Sequence, residues 1–215
     1  MIVLMSAFLL LSAFSCGGGN KANSTSEQSE ETAVNVPQFD ADSAYLYVKN
    51  QVDFGPRVPN TKEHVACGNY LAGQLEAFGA QVTNQYADLI AYDGTLLKAR
   101  NIIGSYKPES KKRIALFAHW DTRPWADNDP DEKNHNTPIL GANDGASGVG
   151  ALLEIARLVN QQQPELGIDI ILLDAEDYGA PQFYTGQHKE EFWCLGSQYW
   201  ARNPHVQGYN AVSYT

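Results

Sequence analysis

The chain has 215 residues, 43% hydrophobic and 19% charged, enough for one domain with a sizeable core, and a second domain is not expected. With 15 basic and 25 acidic residues the net charge is −10, which argues against a large basic nucleic-acid footprint. Only 3 cysteines are present, with no C-x-x-C pair, which excludes a disulfide-built scaffold and argues against a thiolate zinc site.

In chain order, residues 1–14 (MIVLMSAFLLLSAF) form an uncharged apolar run, too short for a membrane span of roughly 20 residues. Ser15-Cys16 and three glycines follow. This pattern resembles a bacterial lipoprotein signal, although no basic residue precedes the apolar run. The resemblance implies a signal peptide over 1–15, lipidation of Cys16 and a lipid-anchored protein of the bacterial cell envelope, facing the periplasm or the surface. Residues 16–36 are rich in Gly, Ser, Asn and Glu and read as a flexible tether. Residues 37–215 are expected to form the folded domain.

A helix is expected over Asp40–Val52, then a loop through Asp53-Phe54-Gly55-Pro56-Arg57-Val58-Pro59, where two prolines and a glycine stop it. Thr61 is an N-cap candidate for a second helix reaching Phe78, with an apolar stripe of Val65, Tyr70, Leu71, Leu75 and Phe78, and with Gly79 ending it. Cys67 falls near that stripe and reads as a small buried hydrophobe. Strands are expected over Gln81–Tyr92, Leu96–Tyr106 and Arg113–Ala118, and a helix over 143–163. Ile168–Leu173 (IDIILL) is a second near-continuous apolar strand. Apolar strand, helix, apolar strand implies a parallel βαβ unit. The fold class expected is α/β, a mixed and largely parallel sheet flanked by helices.

Ligand sites in such sheets lie beyond the carboxyl ends of the strands. Three polar clusters fall there: His119-Trp120-Asp121 after one strand, Asn143-Asp144-Gly145 opening the helix, and Asp174-Ala175-Glu176-Asp177 after the next strand. Singly, each has an ordinary explanation. His119 could be a hydrogen-bonded strand end, Asp144 a helix N-cap, and Glu176 and Asp177 solvated loop carboxylates. Brought to one rim, they would put an imidazole among several mutually repelling carboxylates, and a cation is the natural compensation. Oxygen and imidazole donors without thiolate suit a catalytic Zn²⁺ site.

The segments HWDTRPWADNDP (119–130), PILGANDGASGVGALLEIARL (138–158), IDIILLDAEDYG (168–179), EFWCLGSQYWARNP (191–204) and FGPRVPN (54–60) resemble the bacterial-type glutaminyl cyclases of the zinc peptidase M28 superfamily. The likeness spans roughly residues 37–215. It implies a zinc-dependent acyltransferase that converts an N-terminal Gln of peptides or proteins to pyroglutamate and releases ammonia. It also implies Asp144 and Asp177 as metal ligands and Glu176 as general acid/base. One zinc is expected, with His119 and Asp121 as supports behind it. The family's third ligand, a histidine, and a further acidic residue lie downstream. His188 and His205 come too early to match, so a chain ending at Thr215 is expected to be an inactive fragment.

Two other readings remain open on sequence. One is an aminopeptidase of the same superfamily, in which His119 would bind a second zinc, Asp144 would bridge the two metals and Glu176 would activate water. The other is a lipid-anchored module that binds peptides without turnover, against which the intact Asp144, Glu176 and Asp177 argue. Trp120 and Trp125, in the loop beyond a metal-site strand, are expected to line the pocket.

Overall fold

The computed structural model describes residues 35–209. The expected signal peptide, Cys16 and nearly all of the expected tether lie outside the described residues, as do 210–215.

Helix α1 (Ala41–Val52) starts where the Asp40 side chain accepts hydrogen bonds from the amides of Asp42 and Ser43, capping two groups that lack a partner within the helix. Helix α2 (Lys62–Ala77) is capped by Thr61, whose side chain accepts from the His64 amide, and it ends at Gly79. Its buried face is His64, Cys67, Gly68, Leu71, Ala72 and Leu75. Val65 is not on it and stands 57% exposed. The helix buries His64 in place of the expected Val65 at the start of the stripe, because residue 65 lies about 100° around the helix from residue 64.

Strand β1 (Gln81–Ile90) and strand β2 (Leu96–Tyr106) form an antiparallel hairpin. β1 stops before Tyr92 because the chain turns there, with the Ala91 amide bonded to the Thr95 carbonyl. Strand β3 (Arg113–His119), helix α3 (Ala146–Gln161) and strand β4 (Gly167–Leu173) are the expected βαβ unit, with β3 and β4 parallel. The strand order is β1-β2-β4-β3, and β2 meets β4 antiparallel. Among the described strands the sheet is therefore mixed, with one parallel pair. Helix α4 (Leu195–Arg202) closes the described chain.

β4 reads as a continuous apolar run because both of its faces are covered: all its residues are buried. Ile168, Ile170 and Leu172 face the main core, with Leu71 and Leu75 of α2 and Val149, Leu153 and Ala156 of α3. Ile171 and Leu173 point to the opposite face, where Ile103 and the α4 residue Trp200 pack. This alternation follows from the period of two along a strand. Leu153 is fully buried in the main core. Leu153→Ala should cost about 2–5 kcal/mol of stability, the usual range for leucine truncation in a core, read as a lowered urea midpoint with an unchanged slope.

Candidate metal centre

β3 and β4 end in step. His119 pairs with Leu173 across the ladder, and the next amide, that of Trp120, still donates to the Leu173 carbonyl at 3.0 Å. The residues that follow each strand therefore emerge at one rim, and the loop that opens α3 reaches the same rim. All three clusters read from the sequence contribute to it.

His119 Nε2 lies 2.7 Å from Asp144 Oδ1 and 3.9 Å from Glu176 Oε1. Its Nδ1 faces Asp121 Oδ1 at 3.4 Å. His119, Asp144 and Asp177 each offer a ligand atom, all within 4.8 Å of one another. Exposure grades across the site: the Asp144 side chain is 63% exposed, Glu176 34% and His119 11%. Gly145 has no room for a side chain, since a Cβ there would sit 2.4 Å from the His119 carbonyl oxygen and 2.5 Å from its Nε2.

The cluster's chemistry fits a divalent cation. Among the described residues, Asp177 Oδ2 and His119 Nδ1 are buried side-chain atoms without a hydrogen-bond partner. An unpaired buried carboxylate oxygen is costly unless a cation meets it. Burial, then the neighbouring Asp121 carboxylate, push the Asp177 carboxyl up to about 7. Burial, opposed by His119 and assisted by Asp121 and Asp144, also raises Glu176. Burial alone would lower His119, but Asp121, Glu176 and Asp177 lift it to about 10. Burial is the first cause for Asp177 and Glu176, and the several carboxylates around one imidazole add to it and account for the rise at His119, a charge imbalance that a bound metal would neutralise. His119 completes, with Asp144 and Asp177, the group of three whose ligand atoms could hold a metal ion.

Residues outside the cluster hold it in place. Asp121, fully buried, accepts the Glu176 and Asp177 amides at 3.0 and 3.1 Å. Arg57, also fully buried, donates to the carbonyls of Trp120, Leu140 and Gly141 at 3.2, 2.6 and 2.8 Å, tying the β3 end to the segment that leads into α3. Arg123 donates to the carbonyls of Asp177, Gly179 and Ala180 and is held by Asp127 at 2.7 Å. It lies beneath the Trp193 ring, 4.7 Å from its centroid.

Two sequence expectations change. Trp120 does not line a pocket: it is fully buried, stacks on His64 with centroids 4.3 Å apart, and donates from Nε1 to the Arg100 carbonyl. Trp125 is half-buried in an edge-to-face group with Tyr92 and with Tyr178, the residue after Asp177. Asp174 is not at the rim. It is fully buried and meets His64 Nε2 at 2.8 Å, a partner the sequence reading had not singled out. Cys67 and Cys194 are both free thiols.

Residues 101–214 match the peptidase family M28. A glutaminyl cyclase of Bacteroides thetaiotaomicron is 94% identical, with a TM-score of 0.81 over 82% of this chain and 60% of that one. A structure from the same organism at the same identity and TM-score, covering 82% of this chain and 61% of that one, is described as a leucine aminopeptidase precursor. A Zn-dependent exopeptidase of Parabacteroides distasonis is 64% identical, with a TM-score of 0.79 over 81% of this chain and 59% of that one. The Escherichia coli protein YfbL is 35% identical over 115 residues, 54% of this chain and 32% of its own length. The chain thus spans about three fifths of the solved relatives and about a third of that curated one. With the family match covering more than half its length, the chain belongs to peptidase family M28.

Proposed function

We propose that the full-length gene product is a zinc-dependent glutaminyl-peptide cyclotransferase. The reading rests on one observation above the rest: Glu176, half-buried and raised in pKa, stands beside the His119–Asp144–Asp177 cluster. The 94% identical glutaminyl cyclase supports it. The substrates in this reading are peptides and proteins with N-terminal Gln.

In the reaction the substrate α-amine attacks its own side-chain γ-carbonyl, and ammonia leaves. Asp144 and Asp177 would hold zinc, with His119 Nε2 within reach as a third donor. When bound, zinc supplies a Lewis acid that polarises the γ-carbonyl and stabilises negative charge on its oxygen. Glu176 takes a proton from the attacking amine and returns it to the departing nitrogen. A carboxyl of raised pKa suits both transfers, since its proton affinity lies nearer that of the groups it serves. Asp121 keeps Glu176 and Asp177 in register through their amides. The signal peptide and the lipid on Cys16 belong to this reading on sequence grounds, and they would place the enzyme on a membrane of the cell envelope.

A second reading, an M28 aminopeptidase, is favoured by the position of His119. His119 Nε2 lies 2.7 Å from Asp144 Oδ1, so His119 would be available, with Asp144, to hold a second metal ion that would help to activate water for peptide hydrolysis. One experiment separates the two: a Gln-initiated peptide is incubated with the purified full-length gene product and followed by mass spectrometry. Loss of ammonia from the intact peptide is expected. Release of a free amino acid, with two zinc per chain by elemental analysis, would replace the cyclase reading with the peptidase one.

A further inference from the structure

The segment Asp174–Asp177 has no regular secondary structure, yet every backbone polar group in it has a partner. The Asp174 amide donates to Asn101 Oδ1 at 2.9 Å, and the Ala175 amide to Asp174 Oδ1 at 2.7 Å. The next two amides go to Asp121. The carbonyls of Asp174, Ala175 and Glu176 accept from the amides of Gly196, Leu195 and Cys194, each at 3.0 Å, and Arg123 takes the Asp177 carbonyl. Gly196 is forced by this lacing, because a Cβ there would meet the Asp174 carbonyl oxygen at 2.1 Å. Buried irregular backbone must be paired in this way, but pairing alone does not say which way the side chains are sent.

That direction is set at Ala175, a fully buried residue with φ +53°. The left-handed conformation is unfavourable for a residue with a Cβ. The turn reverses the chain so that Asp174 points inward while Glu176 and Asp177 point to the rim. Oδ1 of Asp174 holds the Ala175 amide directly. The same carboxylate accepts from the Arg100 amide at 2.6 Å and meets His64 Nε2 at 2.8 and 3.0 Å. His64 reaches it from α2, across the main core. Its ring is itself fixed by the stack on Trp120, between His119 and Asp121. The pair therefore touches the inner side of both arms of the site and no part of its open face.

We propose that the buried His64–Asp174 pair is a positioning element that sets the Ala175 turn and so presents Glu176 and Asp177 to metal and substrate. His64 supplies a fixed N–H that locks the Asp174 carboxylate in the rotamer which catches the Ala175 amide. Without that donor the carboxylate keeps its two amide partners but has no side-chain partner to orient it, and the turn loosens. Loss of a direct hydrogen-bond partner of a metal ligand costs about 10–100-fold in metal affinity or activity; the His64–Asp174 pair acts one step further out, through the Ala175 turn, and the lower end of about 10-fold is expected.

The turnover arm of the test rests on the cyclase reading, and the zinc arm does not. Three variants of the full-length gene product are needed. His64→Phe keeps an aromatic ring against Trp120 and removes the donor. His64→Gln restores a donor at similar reach. Asp174→Asn keeps the shape of the acceptor and removes its charge. The dissociation constant for Zn²⁺ is measured by competition with a chromophoric chelator, and kcat and KM are measured on a Gln-initiated peptide. His64→Phe and Asp174→Asn should weaken zinc binding about 10-fold and lower kcat by a similar factor with little change in KM, and His64→Gln should recover most of both. A merely structural pair would lower the melting temperature and leave zinc affinity and kcat at the wild-type level in the folded variants, which overturns the proposal. Failure of His64→Gln to recover what His64→Phe loses overturns it too. Should His64→Phe not fold, Asp174→Asn carries the same comparison. A wild-type protein that binds zinc but does not cyclise Gln removes the functional reading, and the zinc arm then decides the positioning role alone.

Discussion

Glu176→Gln should leave the zinc content of the full-length gene product unchanged and lower turnover about 10²–10⁴-fold, the usual contribution of a positioned general acid/base. The substitution keeps the volume of the side chain, and the Glu176 amide and carbonyl remain held by Asp121 and Cys194. The proton shuttle alone is lost. Zinc should stay because the cluster that offers ligand atoms is His119, Asp144 and Asp177. Ammonia release in a coupled assay, paired with elemental analysis of the same sample, reads both quantities. Turnover near the wild-type level would remove Glu176 from the mechanism.

Asp144→Ala and Asp177→Ala should behave in the opposite way, losing zinc and activity together. The two sites differ in what the loss does to the fold. The Asp144 side chain is 63% exposed, so its removal opens no core cavity, although it takes from His119 Nε2 its 2.7 Å partner. Asp177 is buried among Asp121, Asp144 and Glu176, with one oxygen lacking any hydrogen-bond partner. Removing it relieves repulsion in the metal-free protein and leaves a small cavity. Neither change should lower the metal-free melting temperature by more than a few degrees, whereas stabilisation by added zinc, which follows mass action, should disappear in both. Full zinc occupancy in both variants would show the ligand assignment to be wrong.

The parts of the fold that read well from sequence are those with one strong periodicity. β4 announced itself as an unbroken apolar run because both of its faces are covered, and α3 did so by its apolar stripe. Their junctions then located the rim, and His119, Asp144, Glu176 and Asp177 followed from it. What stayed hidden was the direction of individual side chains where the backbone is irregular. In Asp174-Ala175-Glu176-Asp177 three acids look equivalent, and no glycine marks the left-handed turn at Ala175 that sends one of them inward. His64 gave no signal either, since a single histidine on a helix has no partner within its own segment, and Asp174 lies far along the chain. Trp120 sits between two polar site residues, yet its indole faces the core, because neighbouring side chains in extended chain point to opposite sides.

The lacing of residues 194–196 onto 174–176 makes the stretch between them an excursion that leaves and returns at the same place. Its first residues are gripped by Arg123, and Asp127 accepts the Gln182 amide at 2.8 Å. Beyond that point, residues 183–192 carry Tyr184 and Phe192, which meet Tyr92 at 4.9 and 6.2 Å, so this outer part of the excursion furnishes part of an aromatic surface and, unlike Asp177 at its root, includes none of the assigned ligand or proton-transfer residues. Lengthening a loop whose ends are already joined is cheap, about 0.6 kcal/mol for each doubling. Residues 183–192 are therefore expected to tolerate exchange at little cost to stability. If the cyclase reading holds, grafting the corresponding stretch from a relative is expected to shift KM for Gln-initiated peptides and leave kcat near its starting value, so that substrate acceptance and chemistry would rest on separate pieces of the chain.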